Sequence, residues 1–262
     1  MTIIAVTLKG ILRDRVLQGI LFASVVFLAI PVISTLSMRQ VTQLALTLSL
    51  SLVSFILFLL AIFLGGVSLW RDVERRYTHN VLTLPHSRTR YLLGRFTGTA
   101  LFLLGTAALL SLLTVLVVHL VATNYPPDLP ISWITVVAAL GFDTFKCLLL
   151  VSFAVLFSSI STSFFLPVFG TIAVYLVGGA TQQAYDYVLS PAGHSLSPVT
   201  QKLAQVLYYL LPNLSAFDLK VNAIYSLPLD YSALALTFGY GILYMAFVLI
   251  AAAAVYSHRE LG

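Results

Sequence analysis

Asp143 and Lys146 stand three positions apart inside an apolar run from Trp133 to Phe157, a spacing that places both on one helical face. An ionised side chain at the centre of a bilayer costs about 2.5 to 3.5 kcal/mol on insertion scales, so such groups face protein or water and pair with one another. The chemistry open to this intramembrane polar pair is electrostatic. Either it gives a transport path a polar lining, or it is a neutralised pair that locks neighbouring helices, the reading preferred here.

A second concentration of charge runs from Arg71 to Arg95, RDVERRYTHNVLTLPHSRTRYLLGR, and holds six of the fourteen Lys and Arg residues. Asp72 is three and four positions before Arg75 and Arg76, and with Glu74 these residues suit a solvated helical turn. Thr83-Leu84-Pro85-His86-Ser87-Arg88 then reads as a turn into a new helix, with Ser87 as N-cap. An ordinary loop on the positively charged side of a membrane would explain the arginines. It would not explain Val81, Leu82 and Leu84, which suit a short helix inserted into a partner's groove.

Other chemistries lack their residues. A phosphate-binding Walker loop needs Gly-Lys-Ser/Thr, and none of the four lysines, Lys9, Lys146, Lys202 and Lys220, follows a glycine. No nucleotide hydrolysis is therefore expected on this chain, nor any catalytic residue. The five histidines, His79, His86, His119, His194 and His258, are scattered, with no i, i+4 pair, so neither metal nor cofactor ligation is expected. Cys147 is the lone cysteine and reads as packing. The pI near 9.4 does not point to nucleic acid, because the cations flank apolar runs and mark the cytoplasmic side of a membrane.

The elements that must position these residues follow from composition. Sixty per cent of residues are hydrophobic and 9% charged, with a mean hydropathy of +1.00, against roughly 25% charged in soluble domains. An all-α polytopic membrane protein is expected, one domain over residues 1–262. Six spans are predicted, at Leu17 to Leu36, Leu44 to Trp70, Phe96 to Ala122, Trp133 to Phe157, Phe164 to Ala180 and Ser232 to Tyr256. The fifth is short and interrupted by Pro167, Gly178 and Gly179. Residues 1–16 read as an amphipathic helix at the lipid interface, and the first span as uncleaved. With the N-terminus inside, ten Lys and Arg lie on the inner face and Arg39, Lys202 and Lys220 on the outer. Both termini are thus expected in the cytoplasm.

The outer segment 181–231 is too apolar for disorder. Its stretch PVTQKLAQVLYYLL predicts a helix from Pro198 that stops before Pro212, one of one or two short helices over the outer mouth, with any dip into the membrane left open. Gly94 and Gly98 form a Gly-x-x-x-Gly pair where the third span begins, which reads as helix packing.

The order acidic-Arg cluster, apolar turn, Leu84-Pro85-His86-Ser87-Arg88-Thr89-Arg90-Tyr91-Leu92-Leu93-Gly94-Arg95-Phe96 resembles the cytoplasmic link between the second and third spans of type-2 ABC exporter permeases. Lys9 with Arg13-Asp14-Arg15 before the first span, and Ser257-His258-Arg259-Glu260-Leu261 after the last, agree with it. In size the chain is similar to the permease group that serves nitrous-oxide-reductase maturation. After the family's glutamate, Tyr77-Thr78-His79 stand where glycine and threonine are common.

The resemblance implies a coupling helix containing Glu74 that enters a cleft on a cytoplasmic ABC ATPase subunit. Asp72, Arg75, Arg76, Leu84, Pro85 and Arg88 would share the docking. It further implies ATP and Mg on that partner, pairing with a second copy or a paralogous permease, lipid surroundings, and residence in the plasma or inner membrane. Two rivals stand beside it. One is an ion-coupled carrier or channel using Asp143 and Lys146; the other is a non-transport membrane anchor of a redox complex.

Overall fold

The computed structural model describes residues 3–13, 19, 22, 25–37, 40–67, 88–127, 129–161, 163–191 and 197–258. Among these residues there is no strand. The helices are α1 (Ile3–Arg13), α2 (Ile30–Ser34), α3 (Val41–Leu60), α4 (Arg88–Asn124), α5 (Trp133–Ile160), α6 (Phe165–Leu189), α7 (Pro198–Leu210), α8 (Lys220–Ile224) and α9 (Tyr231–His258), and α3 continues as a π-helix over Ala61–Val67. Among the described residues five helices are long and apolar enough to cross a membrane: Val41–Gly66, Thr89–Asn124, Trp133–Ile160, Phe165–Leu189 and Tyr231–His258. They fit a multi-pass membrane protein. Of the expected first span, Leu17 to Leu36, residues 17, 18, 20, 21, 23 and 24 lie outside the described residues, and its second half holds a 3-10 turn at Phe27–Ala29 followed by α2.

Hydroxyls within these spans turn back on their own helix. Thr106 Oγ1 donates to the Phe102 carbonyl at 3.0 Å, Thr114 to Leu110 at 2.9 Å and Thr144 to Leu140 at 2.7 Å. In hydrocarbon no water is present to satisfy them, so the i−4 carbonyl is the available acceptor.

Helix α6 runs nine residues past the predicted end of the fifth span and takes in 181–189 of the outer segment. Pro167 does not interrupt it. The residue sits in the first turn, where its missing N–H has no intrahelical acceptor to lose.

Helix α5 is the centre of the bundle, packed against α9, the π-helix, α6 and α4. At the opposite extreme, α9 is the least enclosed of the five spans. Its first turn is capped by Asp230, whose Oδ1 accepts from the Ser232 hydroxyl at 2.6 Å and from the backbone N–H groups of Ser232 and Ala233 at 3.0 and 3.3 Å. The hydroxyl bond first, then the two backbone bonds, hold this carboxyl below its ordinary range. The cap therefore contributes above the unfolded carboxylate pKa and is lost as pH falls through the lowered folded value.

Helix α1 lies along the start of α4. Ile3, Thr7 and Ile11 recur every four residues and form one face, and Thr7 and Ile11 are buried. A Cβ on Gly94 would stand 2.9 Å from Ile3 Cγ2, and one on Gly98 2.7 Å from Thr7 Cβ. The two glycines thus bring α4 and α1 together. Gly98→Leu is expected to lower stability by about 1 to 3 kcal/mol through overpacking. Gly105→Leu, which meets nothing within 4 Å, should leave stability nearly unchanged, and thermal denaturation in detergent compares the two.

Beyond α7 the chain turns inward. Ser197 caps α7 by accepting from Thr200 N–H, and the helix stops at Leu210, before Pro212, as its sequence predicts. The Leu214 N–H then donates to the Gly178 carbonyl at 2.9 Å, and a Cβ on Gly178 would lie 2.8 Å from the Pro212 oxygen. Phe217 follows, fully enclosed, with its ring centroid 6.4 Å from Phe142 and 5.8 Å from Phe145. Those phenylalanines flank Asp143 in the middle of α5. Residues 211–219, with one 3-10 turn at Ser215–Phe217, thus enter the bundle instead of resting on it, and irregular backbone inside a bundle is tolerated where protein surrounds it.

Candidate functional site: the intramembrane ion pair

Asp143 and Lys146 project from successive turns of α5. Lys146 Nζ lies 2.6 Å from Asp143 Oδ1, with the side chains 5% and 7% exposed for lysine and aspartate respectively. The other carboxylate oxygen, Oδ2, accepts from Ser54 Oγ of α3 at 2.7 Å. Lys146 Nζ also stands 5.9 Å from the centroid of the Tyr175 ring on α6, and that ring packs on Phe58 of α3 at 4.1 Å between centroids. One ion pair therefore draws α3, α5 and α6 onto a common point.

The reason for this convergence is dielectric. In a low-dielectric interior the attraction between the charges is strong, but it offsets their desolvation only when the remaining polar atoms are satisfied. Ser54 supplies a hydroxyl donor to the carboxylate, and Tyr175 presents its π face to the ammonium. The charges sum to zero and no net ion is left in the apolar core. Ser54 is the site residue that sequence reasoning passed over. Its signal was a hydroxyl in an apolar span opposite a span that contains a carboxylate.

A second polar contact ties these helices near the C-terminal end of α5. Ser158 Oγ of α5 donates to the Gly66 carbonyl in the π-helix at 2.7 Å. Cβ atoms on Gly65 and Gly66 would meet Ala154 Cβ at 2.9 Å and Pro167 Cβ at 3.1 Å. The π segment therefore lies with its backbone directly against α5 and α6. Its i→i+5 bonding leaves carbonyls off the α-helical register, and Ser158 satisfies one of them.

Of the residues expected to dock a partner, Asp72, Glu74, Arg75, Arg76, Leu84 and Pro85 lie outside the described residues, and Arg88 opens α4. The segment that contains them is bracketed by the π-helix on one side and α4 on the other. Gly94 and Gly98 stand one to three turns into α4, against α1. His119, at the other end of α4, places its ring 6.4 Å from Trp133. Among the described residues no three His, Cys, Asp or Glu side chains gather in a way that could hold a metal ion.

No family model matches this chain, and no curated protein matches it.

Proposed function

We propose that the chain is the membrane-spanning subunit of an ATP-driven exporter, working as a dimer on separate cytoplasmic ATPase subunits. The observation that carries the reading is the segment from Arg71 to Arg95, an acidic-Arg cluster followed by Leu84-Pro85 and Ser87-Arg88. Its flanks support it. The π-helix before it is packed into α5 and α6, and α4 after it is joined to α1, so a push on the segment would be felt by the bundle on both sides. Charge-assisted contacts by Glu74, Arg75 and Arg76 suit such a joint, being strong and directional.

The test is co-purification with the ATPase encoded beside this chain. Wild type is expected to retain the ATPase and stimulate its hydrolysis. Reversal of charge at Glu74, Arg75 and Arg76 together is expected to weaken the complex by about tenfold or more, and the double variant Asp143→Leu/Lys146→Met, which leaves no buried unpaired charge, to leave it assembled. If wild type retains no ATPase, the exporter reading fails; if the triple reversal assembles normally, docking lies elsewhere.

The buried ion pair favours one alternative, an ion-coupled carrier in which Asp143 and Lys146 exchange partners during transport. Such a carrier would move its substrate in sealed vesicles with an ion gradient and no ATP. The enclosure of the pair between three helices supports a lock instead.

A further inference from the structure

Between the end of α7 and the first half of α9 lies an open cavity of about 390 Å³, half of whose lining residues are tyrosines. Tyr208 and Tyr209 of α7 form one side, Leu236, Thr237, Tyr240 and Tyr244 of α9 the other, with Asn213 on the chain between the two helices. The size is that of a small-molecule site.

Both walls are held in place from behind. Tyr185 of α6 stacks on Tyr208 at 4.2 Å with the planes 12° apart, and Tyr209 meets Tyr208 edge-on at 5.4 Å and 79°. On the other side Phe217 backs Tyr240 at 6.4 Å. The Tyr244 hydroxyl donates to the Leu210 carbonyl at 2.6 Å, and the Tyr240 hydroxyl accepts the Asn213 N–H at 3.1 Å. These two bonds fasten α9 to the inward-turning chain and fix the angle of both rings.

The polar groups of the lining are therefore largely committed to the protein. Asn213 is committed as well, since Nδ2 donates to Gln182 Oε1 at 2.8 Å and Oδ1 accepts from Ser215 Oγ at 2.6 Å. What remains to meet a ligand is aromatic surface with the side chain of Thr237 beside it, and no lining residue carries a charge. Lys202 lies in a neighbouring groove that shares Tyr209. Aromatic faces carry negative electrostatic potential and attract weakly hydrated cations, with quaternary ammonium groups in aromatic cages as the recurring case. Leu236, 75% exposed, extends the site along the exposed side of α9 and suits an apolar substituent on the same molecule.

We infer that this four-tyrosine cavity binds a lipophilic quaternary ammonium cation. The inference is independent of the exporter reading, because binding to the chain by itself is the readout.

The experiment uses the full chain in an uncharged maltoside detergent, with benzyltrimethylammonium as probe and its uncharged carbon isostere, neopentylbenzene, as comparison. Empty micelles serve as blank. Saturable binding of the cation is expected, about tenfold tighter than the isostere. Tyr209→Leu should weaken the cation by about fivefold and Tyr209→Phe should restore it, because the ring and not the hydroxyl makes the contact. Tyr209 is 75% exposed, so these variants keep the fold, which an unchanged melting temperature verifies. No saturable binding, equal affinity for the isostere, or unchanged affinity in Tyr209→Leu would each overturn the inference. None of these results bears on whether an ATPase docks at the Arg71 to Arg95 segment.

Discussion

Lys146→Met, with Asp143 retained, is expected to destabilise the protein by about 3 to 5 kcal/mol, the range found when one partner of a buried ion pair is removed. Methionine matches the length of the lysine stem, so little of the loss comes from packing. The loss arises because Asp143 is left with a hydroxyl from Ser54 as its remaining partner in an enclosed, apolar setting. It must then either carry an uncompensated charge or take up a proton.

The double variant Asp143→Leu/Lys146→Met removes both charges and should recover most of the stability, since an apolar pair of similar volume often equals or exceeds a buried ion pair. Thermal denaturation of the four members of this cycle in detergent measures the coupling. A lock gives a double variant that is stable and still active. If the pair instead takes part in transport, the double variant is stable and inactive. Additive losses, with no recovery in the double variant, would show that the two side chains do not act as a pair.

Phe217→Ala carries an expected loss of similar size, about 3 to 5 kcal/mol for a large enclosed aromatic side chain. Three neighbours make the site unable to collapse around the gap. Phe142 and Phe145 are fixed on α5, and α9 approaches so closely that a Cβ on Gly241 would lie 2.9 Å from Phe217 Cζ. Phe217→Leu should cost markedly less, as volume is partly kept. Tyr225→Ala, on the same stretch of chain but 53% exposed, should fall within about 0.5 kcal/mol of wild type. Equal melting temperatures for Phe217→Ala and Tyr225→Ala would mean that residues 211–219 are not seated in the bundle.

These two sites differ in how far the sequence discloses them. Asp143 and Lys146 announce themselves, because charge is rare in an apolar run and the i, i+3 spacing is a local property. The end of α7 is local too, set by Pro212 and the periodicity before it. Phe217 is different. Nothing within 211–219 distinguishes a segment laid over a bundle from one set into it, because the decision rests on small residues far away, Gly178 on α6 and Gly241 on α9, which leave room for it. The extension of α6 through Leu189 was hidden by a similar effect. Pro167, Gly178 and Gly179 read as breakers from propensity, whereas in the fold the proline occupies a permissive first turn and Gly178 provides a close approach. Ser54 needed knowledge of which span faces which, and pairwise facing cannot be read from one chain of apolar runs.

The π-helix at Ala61–Val67 has a geometric consequence for whatever its downstream neighbour touches. A π turn is an α-helical turn with a surplus residue, and each residue returned to α-helical register rotates the chain beyond it by about 100° and advances it by about 1.5 Å. The span that leads into the acidic-Arg cluster therefore contains a stored increment of screw motion. Among the described residues it is held by the Ser158 hydroxyl on the Gly66 carbonyl and by the close seating of Gly65 and Gly66 on α5 and α6, so the handle and the catch of this screw belong to different helices.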